Sequence, residues 1–217
     1  MTEHNKITYA MSRHRRAGII ILCLLLVVVF VWLDHSPIRS KWRPQPKSDQ
    51  QVRAYDFEKY HAGTFTVVNV VDGDTIDIDI PDGQYEHTRI RLWGIDTPET
   101  KNPKVGVMYF GPEAAEFARK LVLRKPVTVY LDEGNNTRGK YGRLLAYVQL
   151  PDGRFLNEVL VSEGFAYADL RFRHSFYNRY KQLDASARSL KKGLWEAVSR
   201  EQLPEWLQRQ KPNLLNK

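Results

Sequence analysis

Cysteine is almost missing from this chain: one residue, Cys23, occurs among 217, so no intrachain disulfide and no thiolate zinc site can form. Net charge is also missing from the middle of the sequence. The whole chain carries +8, but residues 61–196 hold 19 Lys and Arg against 18 Asp and Glu, and the excess sits toward the two ends. A uniformly basic central surface is thereby excluded, and any anion site there must be a local cluster of cations. Internal repeats and low-complexity tracts are absent too. What remains, with 42% hydrophobic and 27% charged residues, is ordinary for a chain that buries one core and carries appendages.

The longest charge-free run is residues 17–33, AGIIILCLLLVVVFVWL, which as a helix would span about 25 Å at the usual rise. It has no polar face, as a helix buried in a soluble core normally would. Arg13, Arg15 and Arg16 precede it, a leader that suits a cleaved signal peptide as well as an anchor. The following WLDHSPIRS offers bulky residues where a signal peptidase needs small ones, so an uncleaved transmembrane helix is expected. The arginines crowd its first end, whereas Arg39, Lys41 and Arg43 begin only after Asp34. That bias predicts a cytoplasmic N-terminus and an extracytoplasmic remainder.

Residues 1–16 then form a basic leader, and 34–60, polar and containing Pro37, Pro44 and Pro46, read as a linker. Short β-type runs follow at 64–71, 75–80 and 88–95, joined by DGD and by PDGQYEH. Their β-branched residues, and the alternation in the latter two, predict three consecutive strands. Pro112 and early Glu113 and Glu116, with late Arg119, Lys120 and Arg124, predict a helix after them. Strands are expected at 126–131 and 143–150, and helices at about 156–163 and 176–192, each ended by a glycine. The expected class is α+β: a five-stranded OB-type barrel with three packed helices over residues 61–196, preceded by one transmembrane helix. Residues 197–217 read as a tail.

Four pieces carry chemistry: VDGDT at 71–75, RLWGIDTPET at 91–100, GPEA at 111–114 and KYGR at 140–143. Singly, each has a plain reading. Asp72-Gly73 is a hairpin signal, Asp96-Thr97-Pro98 ends a strand, Arg89 and Arg91 share one face of a strand, and Arg143 suits any surface carboxylate. The run 77–83 is not an EF-hand loop, because its Gly comes one place late and Thr88 stands where Glu is required. In their order and spacing, however, the four pieces resemble the staphylococcal nuclease (thermonuclease) family, and the resemblance extends over about residues 65–195.

That resemblance implies a nuclease that hydrolyses phosphodiester bonds of DNA and RNA with little sequence preference, leaving 3′-phosphate and 5′-hydroxyl ends. It implies Ca²⁺ as cofactor, held by Asp74, Asp96 and the Thr97 carbonyl, a hard oxygen set that suits calcium. Arg91 and Arg143 are implied as phosphate donors, with Glu99 holding or deprotonating the attacking water and Lys140 and Tyr141 binding a substrate phosphate. The catalytic domain is expected to act as a monomer without an obligate protein partner. A non-catalytic OB module that only binds nucleic acid or protein is the alternative, but such domains lose the carboxylates or arginines that are present here. Three departures bear on substrate preference. Gly139 stands where the family carries an acid, the loop before Thr88 is longer, and the family's pocket tyrosines fall at Leu170 and Phe172, leaving Arg171, Arg173 and Tyr177 to compensate.

Overall fold

Ser48 caps the helix that follows it with a capping box: its Oγ accepts from the Gln51 amide, and Gln51 Oε1 accepts from the Ser48 amide. In this computed structural model the described residues are 19, 22–26, 48–101 and 106–215. Helix α1 follows the cap, Asp49–Tyr60. The linker expected over 34–60 is therefore wrong beyond residue 48, and the reason is physical. Only Asp56 and Tyr60 of this helix are buried, so it shows no apolar period, and polar bonds fix it in place. Asp56 accepts from Arg138 Nε and Nη2 at 2.8 and 2.6 Å and from Thr137 Oγ1 at 2.6 Å. Tyr60 meets Thr88 Oγ1 at 3.1 Å.

Five strands close a barrel in the order β1 (Gly63–Asp72), β2 (Thr75–Ile78), β3 (Thr88–Leu92), β6 (Leu144–Gln149) and β5 (Pro126–Tyr130). All pairings are antiparallel except β3 with β6, where Ile90, Arg91 and Leu92 register with Leu144, Leu145 and Ala146. Val67, Ile76, Ile78, Ile90, Val129, Leu144 and Val148 are fully buried between the strands, each such side chain contributing roughly 1.5–3 kcal/mol of burial. A short ladder outside the barrel pairs β4 (Ile95–Asp96) with β7 (Tyr167–Ala168), Asp96 opposite Tyr167. This is the expected α+β, OB-type arrangement.

Helices α2 (Gly111–Val122), α3 (Leu156–Ser162) and α4 (Tyr177–Ser189) match the three expected ones within a few residues. Besides α1, the structure adds α5 (Glu205–Gln210), preceded by 3-10 turns at Gly193–Glu196 and Arg200–Gln202. The tail expected over 197–217 is corrected by this: Leu203 and Leu207 are buried in a second apolar cluster with Tyr167, Ala187, Leu194 and Trp195. Two apolar anchors in a polar stretch were too few to show in the sequence pattern. The expected transmembrane run, 17–33, lies mostly outside the described residues; Ile19 and residues 22–26 within it are helical. Among the described residues no helix is long and apolar enough to cross a membrane.

Candidate active site

The turn between β1 and β2 and the loop after β4 are locked together by a single carboxylate. Asp74, 7% exposed, accepts from Thr75 Oγ1 at 2.9 Å on one oxygen, and from the Thr97 amide at 2.9 Å and Thr97 Oγ1 at 3.0 Å on the other. Close approach makes this possible, since a Cβ on Gly73 would lie 2.9 Å from the Thr97 side chain. The far end of the loop is held in the same way. A Cβ on Gly111, at the start of α2, would come within 3.0 Å of the Glu99 carbonyl and 3.1 Å of the Pro98 carbonyl.

Arg91 of β3 enters this frame from the barrel wall. Its Nη1 contacts Asp74 Oδ2 and its Nη2 lies 2.5 Å from Asp96 Oδ1. Nη1 is buried, and among the described residues this ion pair is its one polar contact. Burial pulls the Arg91 guanidinium below its usual range, with the neighbouring positive charge of Arg143 acting in the same direction against Asp96. Arg143, just before β6, donates to Thr75 Oγ1 at 3.4 Å and has no carboxylate partner among the described residues. Two guanidinium groups near enough to repel each other make the local cation cluster that the near-neutral domain charge required.

Asp74, Arg91, Asp96, Thr97, Glu99 and Arg143 all line one cleft of about 400 Å³, together with Asp72 and Lys101. Lys140 and Tyr141 are not part of its wall. Tyr141, 77% exposed, lines an adjoining cleft of about 530 Å³ with Tyr85, His87, Arg89 and Arg143, and the Lys140 ammonium lies 5.8 Å from its ring. Glu99 Oε1 accepts from the Thr100 and Lys101 amides at 3.1 and 2.9 Å. Asp72 accepts from the Gly73 amide and from Thr100 Oγ1. Burial, aided by the neighbouring Glu99 carboxyl, raises the Asp72 pKa above the usual range despite those two donors.

Among the described residues, no three His, Cys, Asp or Glu side chains gather tightly enough to hold a metal ion between them. The oxygens that do converge belong to two carboxylates, Asp74 and Asp96, reached by one guanidinium, with Thr97 lining the same cleft, and such oxygens are hard donors. Calcium typically completes such a set with water and substrate oxygen, so the residues present fit a hard divalent cation.

Two residues at the site escaped the sequence reading. Trp206 of α5 donates from its indole Nε1 to Asp96 Oδ2 at 2.7 Å, and Asp169 binds Arg171 through two contacts of 2.8 and 2.7 Å. A tryptophan within a polar stretch was the only available signal for the first. Leu170 packs against the barrel core, and the Phe172 ring lies 5.6 Å from that of Trp93. Arg173 stacks over Tyr177 at 4.1 Å.

Residues 89–197 match the family described as staphylococcal nuclease homologue. The chain is similar to a thermonuclease of Staphylococcus hyicus, 38% identical over 133 residues that cover 61% of this chain and 75% of that one. It is 35% identical to a thermonuclease of Staphylococcus intermedius over 181 residues, 82% of this chain and 96% of the relative. With endonuclease YncB of Bacillus subtilis it shares 34% identity over 169 residues, 72% and 78% of the two chains.

Proposed function

The chain belongs to the staphylococcal nuclease family, and from that premise we propose that it is a calcium-dependent nuclease cleaving DNA and RNA with little sequence preference to leave 3′-phosphate and 5′-hydroxyl ends. The observation that carries this reading is the pair Arg91 and Arg143 facing one cleft whose floor holds Asp74 and Asp96. A phosphodiester group placed there meets two guanidinium groups, one of them with no carboxylate partner among the described residues.

Water adds its oxygen to phosphorus, the bond from phosphorus to O5′ breaks, and the departing O5′ takes up a proton. Arg91 and Arg143 donate hydrogen bonds to the non-bridging oxygens as negative charge builds on them, with a planar fork that lysine cannot reproduce. Glu99, on the loop locked by Gly111, holds the attacking water or receives its proton. Asp74, Asp96 and the Thr97 carbonyl hold the calcium ion, which when bound supplies Lewis acidity at the scissile phosphate. Lys140 and Tyr141, exposed beside Arg143, bind a flanking phosphate. The domain acts as a monomer.

The test is hydrolysis of single-stranded DNA and of RNA by the purified chain, with and without a calcium chelator, followed by mapping of the ends. Full cleavage in excess chelator overturns the calcium assignment, and 5′-phosphate ends overturn the direction of bond breaking.

Residues 17–33 anchor this enzyme in a membrane with the barrel on the non-cytoplasmic side. Their charge-free length and the three arginines before them support this. So does the weak sequence discrimination expected of a site built for phosphates, which would endanger nucleic acid inside the cell. Protease added to spheroplasts should destroy the nuclease domain; protection until lysis overturns the orientation.

A further inference from the structure

Asp96 is held from two sides by donors of different kinds. Its Oδ1 accepts from Nη2 of Arg91, a fellow residue of the cleft wall, at 2.5 Å. Its Oδ2 is met by a segment beyond the family match, which ends at residue 197. There the indole Nε1 of Trp206 donates to it at 2.7 Å. Arg171 also points at Oδ2, but only at 3.5 Å, because the same guanidinium is spent on Asp169. The Trp206 ring lies 4.4 Å from the Arg171 guanidinium carbon, and Leu203 and Leu207 sink beside Tyr167, the register partner of Asp96. The short contact to Oδ2 is therefore a neutral N–H on an anchored ring.

We propose that Trp206 is a positioning residue for Asp96, fixing its carboxylate so that Oδ1 is presented to a bound divalent cation. This rests on the calcium reading above. An indole donates one hydrogen bond and carries no charge, so it orients the carboxylate without neutralising it. Arg91 and Arg171 already bring positive charge to this carboxylate, and a third cationic side chain in place of the indole would add to their competition with a bound metal ion. Partners of this kind, one bond removed from a metal ligand, typically change metal affinity or activity by about 10–100-fold when removed.

Two measurements on the purified full chain test the proposal. The first follows the indole N–H resonances by nitrogen–proton NMR without calcium, the Trp206 signal being the one lost in Trp206→Phe. Asp96→Ala should move that signal, and an unmoved signal overturns the contact. The second measures calcium alone by equilibrium dialysis, with no nucleic acid present. Trp206→Phe, which retains a ring for Arg171, should weaken calcium binding by about tenfold or more, while the calcium-free melting temperature stays within a few degrees of the parent. A calcium Kd within twofold of the parent overturns the positioning role. If the parent chain itself fails to bind calcium, the calcium reading falls and the proposal falls with it, whereas parental binding with an unaffected variant defeats the proposal alone.

Discussion

Arg91 and Asp96, five residues apart in the chain, meet at 2.5 Å across the turn that joins β3 to β4. On the proposed reading, the guanidinium that meets a phosphate is thus held by a carboxylate that meets a cation. Shortening the fork should be costly: Arg91→Lys and Arg143→Lys should each lower kcat on the order of 10² or more, since one donor to a developing charge is worth about 3 kcal/mol. Single-turnover cleavage of a short DNA is the measurement, and rates within twofold of the parent would remove both residues from the assigned role.

Glu99→Gln keeps the side chain's length and its ability to accept from the Thr100 and Lys101 amides. It loses the negative charge that, on the proposed reading, holds the attacking water or receives its proton. The rate should fall by about 10²–10⁴ while calcium and substrate binding stay near parental, as read by dialysis and by fluorescence anisotropy of a labelled oligonucleotide.

Removing Asp56 leaves the partly buried Arg138 with Asp82 as its remaining carboxylate. Breaking a buried pair from one side costs on the order of 3 kcal/mol. For a domain of this size that corresponds to a drop in Tm of roughly 6–12 °C. Asp56→Ala should show it by calorimetry, and so should a chain begun at residue 61, which lacks α1 altogether.

Acid should weaken the fold through Asp132. Burial opposes its charge, but hydrogen bonds from Tyr147, the Ser175 amide, Asn135 and the Gly134 amide win, holding its carboxyl well below the ordinary 3.8. A depressed folded value means that this share of stability is fully present above the ordinary value. It is lost as the pH falls from there through the folded one. Urea midpoints measured between pH 5 and pH 2 should therefore fall less steeply in Asp132→Asn than in the parent.

The barrel was legible because Ile76, Ile78, Ile90 and Val129 alternate with polar neighbours, and burial on one face of a strand imposes that period. The cleft was legible for another reason: DGDT, DTPET and KYGR keep chemically specific residues at fixed intervals. Neither signal reaches α1 or α5. The first is fastened by Asp56 to Arg138, the second by Leu203, Leu207 and an indole bonded to Asp96, and bonds between residues far apart in sequence leave no periodic trace. Lys140 and Tyr141 rest on the resemblance alone; Tyr141 lines the adjoining cleft, with the Lys140 ammonium near its ring.

The parallel pairing of β3 with β6 sets Arg91 opposite Leu145, two residues past Arg143. Side chains alternate along a strand, so a shift of one residue in that pairing would turn the paired side chains to the other face. Ahead of Thr137, whose carbonyl accepts from the Leu145 amide, the stretch from α2 through β5 can change length at its loops without altering that pairing. Insertions there should therefore be tolerated by the enzyme, whereas one residue gained or lost between Arg143 and Leu145 would misdirect a guanidinium. The spacing of the two cations is a property of strand register, and tolerance to insertion along the chain should map it.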